Sequence, residues 1–143
     1  MSTERIVVHS SIASAFSAQF KMTASRMFGL ETPCPVLVTS AGVKKNQSLI
    51  SDALSKGGKL LLGDIDAPES SDTRMRATIV EGVTKNMEIY HEESFGPSVS
   101  LIVVESEEEA IAVANDTDYG LTSAVFTENL ATGLRVARQI QSG

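Results

Sequence analysis

Seven consecutive residues, His91-Glu92-Glu93-Ser94-Phe95-Gly96-Pro97, hold the densest concentration of reactive or ligand-contacting side-chain types in the chain. Two carboxylates and an aromatic ring stand beside a Gly-Pro break, directly before the apolar run at 99–104. Gly-Pro punctuates a chain and biases the residue before proline towards extended geometry, so the stretch reads as a loop feeding a strand. Loops at strand ends on a rigid scaffold are where ligand-contacting side chains concentrate. The plainer reading is a solvated acidic turn with Phe95 tucked into the core. Composition alone favours that plainer reading, because charge runs usually face water.

Two other groups invite a chemical reading. Cys34 lies in Pro33-Cys34-Pro35. A reactive thiol needs an electropositive, partly exposed setting, and neither flank supplies a base or a helix N-terminus. A small buried hydrophobe is therefore expected; the alternative is a stand-alone thiol enzyme pairing Cys34 with His91. His91 has no partner legible in the sequence and is expected at the surface. The run Glu107-Glu108-Glu109 follows Ser106, a capping-box pattern in which the serine accepts an amide proton and Glu109 reaches back. An acidic first turn also suits the helix dipole. Capping accounts for this charge run without acid–base chemistry.

Residues 5–9 are β-branched and read as a buried strand. Ser10 or Ser11 can cap a helix on which Ile12, Phe16, Phe20, Ala24 and Met27 form an apolar face, ended by Gly29. Ser40 caps a second helix with Val43, Gln47, Ile50 and Leu54 on one side and Gly57-Gly58 closing it. Residues 59–63 form a strand, 64–74 an exposed loop and 77–83 another strand. Thr84 caps a short helical turn at 86–90, which delivers the loop. The run at 99–104 is a strand covered on both faces. A helix follows to about Asn115, then a turn, a strand at 121–126, and a last amphipathic helix carrying Leu130, Leu134, Ala137 and Ile140, with Arg135 and Arg138 outside. Alternating strands and helices of these lengths give an α/β fold, a largely parallel sheet with flanking helices.

Bulk properties narrow the functional classes. A chain of 143 residues has the length of one domain with a sizeable core. A net charge of −6 argues against a nucleic-acid partner, which would need a basic patch. No run approaches the roughly 18 apolar residues of a membrane span, and no signal-peptide pattern opens the chain. One cysteine cannot form an internal disulfide, and no metal-ligand spacing is present. A cytoplasmic location is expected.

Four blocks stand in register: Glu92 to Pro97 as E-E-x-F-G-P; Glu107-Glu108-Glu109-Ala110-Ile111; Ala114 to Leu121 as A-N-D-T-x-Y-G-L; and Ala124-Val125-Phe126-Thr127. In this order and spacing they resemble the aldehyde dehydrogenase superfamily. The resemblance is strong from about Thr78 onward and extends over residues 2–9. The pattern C-P-V-L-V-T-S-A at 34–41 resembles the salicylaldehyde or vanillin dehydrogenase branch. Ala77 stands where the family usually has proline.

The resemblance implies that residues 1–143 form a partial catalytic domain, incomplete at both ends. The implied parent reaction oxidises an aldehyde, of the aromatic class by the branch resembled, to a carboxylic acid with NAD or NADP as hydride acceptor. The family uses a low-pKa cysteine and a separate glutamate base, with amides stabilising the oxyanion. Its nucleophile stands in a G-Q-x-C sequence immediately before the part matched by residues 1–5. Met1 is therefore expected to be an internal methionine of a longer enzyme, and Ser142-Gly143 to stop short of a further strand and oligomerising tail. No catalytic residue carries over. Glu93 matches the glutamate that bonds the nicotinamide ribose hydroxyls, a task suited to an acceptor-only carboxylate. Phe95 matches the aromatic beside that ribose, and Gly96 and Pro97 shape the loop. The chain alone is expected to be inactive and to bind cofactor poorly. Its partners are an aldehyde in the intact enzyme and other subunits, as a homo-oligomer or by self-association. The alternative is a non-catalytic module that associates with full-length subunits.

Overall fold

The structure, a computed structural model, describes residues 3–67 and 69–142. The expectations that fall on Met1, Ser2 and Gly143 lie outside the described residues. Among the described residues nine elements follow in order: β1 (Arg5–His9), α1 (Ser10–Phe28), α2 (Ser40–Ser55), β2 (Lys59–Leu62), β3 (Thr78–Glu81), α3 (Glu88–His91), β4 (Ser98–Val104), α4 (Glu107–Asn115) and α5 (Leu130–Ala137).

Four strands form one sheet in the order β1-β4-β3-β2. β1 and β3 both pair with β4 in parallel, while β2 joins β3 antiparallel at the edge. The expected largely parallel sheet is present. β4 is central, and its two sets of side chains serve two cores. Ile102 and Val104 join a cluster with Val43 and Ile50 of α2, Met87 just before α3 and Tyr90 of α3, while Leu101 joins Val8, Ile79 and Ala24 beneath α1. Coverage on both faces over most of its length explains why residues 99–104 are apolar apart from one serine, although Val103 is exposed.

Several boundaries and caps differ from the sequence reading. The N-cap of α1 is His9, whose Nδ1 accepts the Ser11 amide, rather than Ser10 or Ser11. Thr39, not Ser40, caps α2: its backbone is extended and its Oγ1 accepts from the Gly42 amide at 3.2 Å. Met87 precedes α3 without a side-chain cap, and the Thr84 hydroxyl bonds Asn86 instead. The buried side of α2 carries Val43, Asn46, Leu49, Ile50 and Ala53, so it is rotated from the expected face. Gln47 reaches out to the Ile65 carbonyl at 3.1 Å. On α1, Ala24 is buried and Phe16 and Phe20 pack partly, but Ile12 and Met27 are exposed. Ser106 caps α4 as expected; the Glu109 carboxylate returns to the Glu105 amide, one residue before the cap.

The largest departure lies at 121–126. This stretch is not a strand, and it joins no ladder among the described residues. A strand is defined by a partner backbone, and β1, the sheet edge on the side away from β2, is not paired by it. Phe126 is consequently 93% exposed, and Leu130 and Leu134 on α5 are exposed as well. The α5 helix forms locally. The Asn129 side chain caps it, and Arg135 holds the Glu107 carboxylate through two bonds of 2.7 Å. That grip keeps the Glu107 carboxyl below its usual range.

Candidate functional site

Residues 92–97 leave α3 and enter β4 as a loop held at three points. The carboxylate of Glu4, just before β1, accepts the Ser94 amide on one oxygen (3.1 Å) and the Phe95 amide on the other (3.2 Å). The Ser94 carbonyl accepts from Asn46 Nδ2 of α2 at 2.9 Å. The Ser94 hydroxyl accepts the Gly96 amide at 3.2 Å. Asn46 itself is 0% exposed. Its second N–H goes to the Gly42 carbonyl at 3.0 Å and its Oδ1 accepts from the Ser98 hydroxyl at 2.6 Å, so this buried amide is satisfied.

Local packing dictates a glycine at 96. A Cβ there would sit 2.4 Å from both Nδ2 and Oδ1 of Asn46. Phe95 is the one non-glycine residue with positive φ (+49°) among the described residues. Left-handed backbone costs a residue with a Cβ roughly 1–2 kcal/mol, and such strain persists where surrounding contacts over-determine it. The ring gains no burial in return, being 80% exposed. The plainer reading of the loop, with Phe95 in the core, is thereby overturned.

The two adjacent carboxylates have different surroundings. Glu92 forms an exposed ion pair with Lys45 at 3.4 Å, of the kind that contributes little to stability. Glu93 is half-buried and makes no side-chain hydrogen bond or ion pair among the described residues. His91 is exposed, with Nε2 2.8 Å from the Lys85 carbonyl and its ring edge-on to Tyr90.

Behind the loop, Arg5 ties β1 to α3 and α4. Its guanidinium donates to the carbonyls of Val113 (3.1 Å), Asp116 (2.9 Å) and Tyr90, and lies 4.8 Å from the centre of the Tyr90 ring. The buried Tyr90 hydroxyl donates to Asp116 Oδ2 at 2.9 Å, and Lys85 Nζ meets the same oxygen at 2.7 Å. The Lys85 ammonium, with the Tyr90 hydroxyl, keeps the Asp116 carboxyl below its usual range. Burial and the Asp116 carboxylate push the Tyr90 phenol up. A guanidinium on the last carbonyls of α4 also opposes that helix's dipole.

Cys34 is buried, and its thiol is pushed up by that burial and by Glu69. Arg74 donates to its backbone carbonyl at 2.9 Å. No contact joins Cys34 to His91 among the described residues. An open groove of about 490 Å³ lies between α2 and α3, lined by Lys45, Ser48, Leu49, Glu88, His91 and Glu92. Glu93 and Phe95 are not part of it. Among the described residues, no cluster of His, Cys, Asp and Glu could hold a metal ion. No helix there is long and apolar enough to cross a membrane.

Glu4, Arg5 and Asn46 were not singled out by sequence reasoning. A signal existed for Asn46 alone, as a polar residue at helical spacing between Val43 and Ile50. Over residues 1–143 the sequence matches the aldehyde dehydrogenase family. The chain belongs to that family. It is 34% identical to a vanillin dehydrogenase of Pseudomonas fluorescens over 148 residues, covering 100% of the chain and 30% of the relative. It is 36% identical to a salicylaldehyde dehydrogenase of Pseudomonas sp. strain C18, again covering 100% of the chain and 30% of the relative. The solved salicylaldehyde dehydrogenase of Pseudomonas putida G7, complexed with salicylaldehyde, matches with a TM-score of 0.87 at 35% identity, over 98% of this chain and 29% of that one. This aldehyde dehydrogenase chain thus spans about 30% of the length of the relatives it matches. The branch suggested by residues 34–41 is represented among those relatives, alongside succinate-semialdehyde dehydrogenases. Related structures hold either cofactor: a Streptococcus pyogenes enzyme was solved with NADP+ and a Staphylococcus aureus enzyme with NAD+.

Proposed function

We propose that this chain is part of the catalytic domain of a cytoplasmic NAD(P)-dependent aldehyde dehydrogenase and forms one edge of its cofactor site. The observation that carries the reading is the loop at 92–97. It is fixed by hydrogen bonds to Asn46 and Glu4, yet it leaves the Glu93 carboxylate unpaired among the described residues and the Phe95 ring facing solvent. These residues suit a nucleotide: Glu93 would accept from the nicotinamide ribose hydroxyls and Phe95 would pack beside that sugar. The dinucleotide, when bound, supplies the hydride acceptor for oxidation of an aldehyde to a carboxylic acid. Aromatic aldehydes are the favoured class, by similarity to the salicylaldehyde and vanillin enzymes. The attacking thiolate and general base would come from other parts of the enzyme, since the chain's one cysteine is buried with a raised thiol pKa.

A paired experiment tests this. The 143-residue chain alone should give no salicylaldehyde-dependent NADH formation. Exchanged for the matching segment of the P. putida enzyme, it should support turnover. In that chimera Glu93→Gln or Phe95→Ala should raise the KM for NAD+ on the order of tenfold, the loss of a charge-assisted bond or a stacked ring. Turnover by the isolated chain, or an unchanged KM in a folded, active chimera, would refute the reading.

A second reading applies to the chain on its own. Exposed Leu121, Phe126, Leu130 and Leu134, together with the side of β1 that no described strand pairs, favour self-association or pairing with full-length subunits. Sedimentation should show weight-average mass rising with concentration, and Phe126→Ser should reduce the rise. A single monomeric species up to 100 μM (roughly the range in which exposed apolar surface drives association) would count against it.

A further inference from the structure

We propose that Glu4 is the positioning residue of the cofactor loop, its carboxylate setting the backbone orientation that presents Glu93 and Phe95. The inference rests on the reading of residues 92–97 as a cofactor edge. Three observations carry it. Each carboxylate oxygen takes one amide, Ser94 on Oε2 and Phe95 on Oε1, across 90 residues of sequence. Successive amides converging on one anion form a concave nest, filled here by a side chain from outside the loop. Phe95, the second of the two donors, holds φ at +49°.

The other contacts do different work. Asn46 takes the carbonyl of Ser94, and the Ser94 hydroxyl takes the amide of Gly96. Both would survive loss of Glu4, so the loop would stay attached to α2. The peptide planes between 93 and 95 would then be free to turn, and Phe95 could relax towards negative φ. Glu4 therefore governs the direction of the loop's side chains, whereas Asn46 governs its attachment. Because Glu4 directly precedes β1, it also fixes the loop against the same strand that Arg5 ties to α3 and α4.

The test has two arms. In the 143-residue chain, Glu4→Ala should speed hydrogen exchange at the Ser94 and Phe95 amides at least tenfold. The Phe95 HN–Hα coupling should shift, while the sheet amides of Val80 and Leu101 keep their rates. Glu4→Gln retains one acceptor oxygen, so it should protect one of the two amides; it also serves if the alanine variant does not fold. Unchanged exchange at both amides would overturn the proposal even if Glu93 and Phe95 prove to contact cofactor. In the chimera described above, Glu4→Gln should raise the KM for NAD+ with kcat changed less than twofold. If Glu93→Gln and Phe95→Ala leave that KM unaltered, the cofactor reading fails and the role assigned to Glu4 fails with it. If those two variants raise it and Glu4→Gln does not, Glu4 alone is refuted.

Discussion

Asn46→Ala is expected to lower the stability of the chain by about 3 kcal/mol, enough to threaten a domain of this size. Asn46 is fully buried and is the shared partner of Ser94 and Ser98. Alanine leaves the Ser94 carbonyl and the Ser98 hydroxyl without partners in a site closed to water. Each orphaned group costs roughly 1–3 kcal/mol, and the void adds to that. Asn46→Asp should be at least as damaging, since a carboxylate cannot donate to the Ser94 carbonyl and would carry buried charge. Urea unfolding monitored by circular dichroism reads the loss. A decrease below about 0.5 kcal/mol, the ordinary effect of a surface change, would mean that the site relaxes and that Asn46 does not hold the loop. The same experiment contains a sharper check. Gly96→Ala should be severe in the parent chain, where its Cβ meets the Asn46 side chain at 2.4 Å. In the Asn46→Ala background it should be much milder, and the difference is the coupling between the two positions.

Arg5→Ala should cost about 2–3 kcal/mol, with Arg5→Lys recovering less than half. Arg5 reaches three carbonyls on two helical segments and covers the Tyr90 ring with the same planar group. Hydrogen bonds involving a charged partner contribute roughly 1.5–3 kcal/mol each before the desolvation of the guanidinium is subtracted. A lysine is a compact point charge that cannot address diverging acceptors through a fork. Denaturation midpoints for the two variants give the comparison, and the near-UV signal of the buried Tyr90 reports whether α3 has shifted. Full rescue by lysine would show that charge at the end of α4, rather than the fork, is what matters.

How far the sequence foretold this molecule depends on the range of the interaction. The run at 99–104 declares a central strand because both faces of β4 are covered. The Ser106 cap is legible because cap and amide lie three residues apart. The strand expected at 121–126 is absent because a run of residues describes one backbone, and a ladder needs two. The face of α2 is rotated because Asn46, a polar residue, is buried on it, whereas the sequence pattern places Gln47 there. For the site, Glu93 and Phe95 came from resemblance alone, since nothing local separates a ligand-facing carboxylate from a solvated one. Glu4, Arg5 and Asn46 reach across 48 to 111 residues. No window along the chain contains both ends of such a bond.

The close approach of Gly96 to Asn46 bears on how this sequence can drift. A side chain at position 96 has no room while residue 46 keeps its amide, and the amide cannot be shortened without orphaning Ser94 and Ser98. Neither position can be altered first without a cost, although fifty residues separate them. Across many generations the pair would be inherited as one character, changing together or not at all.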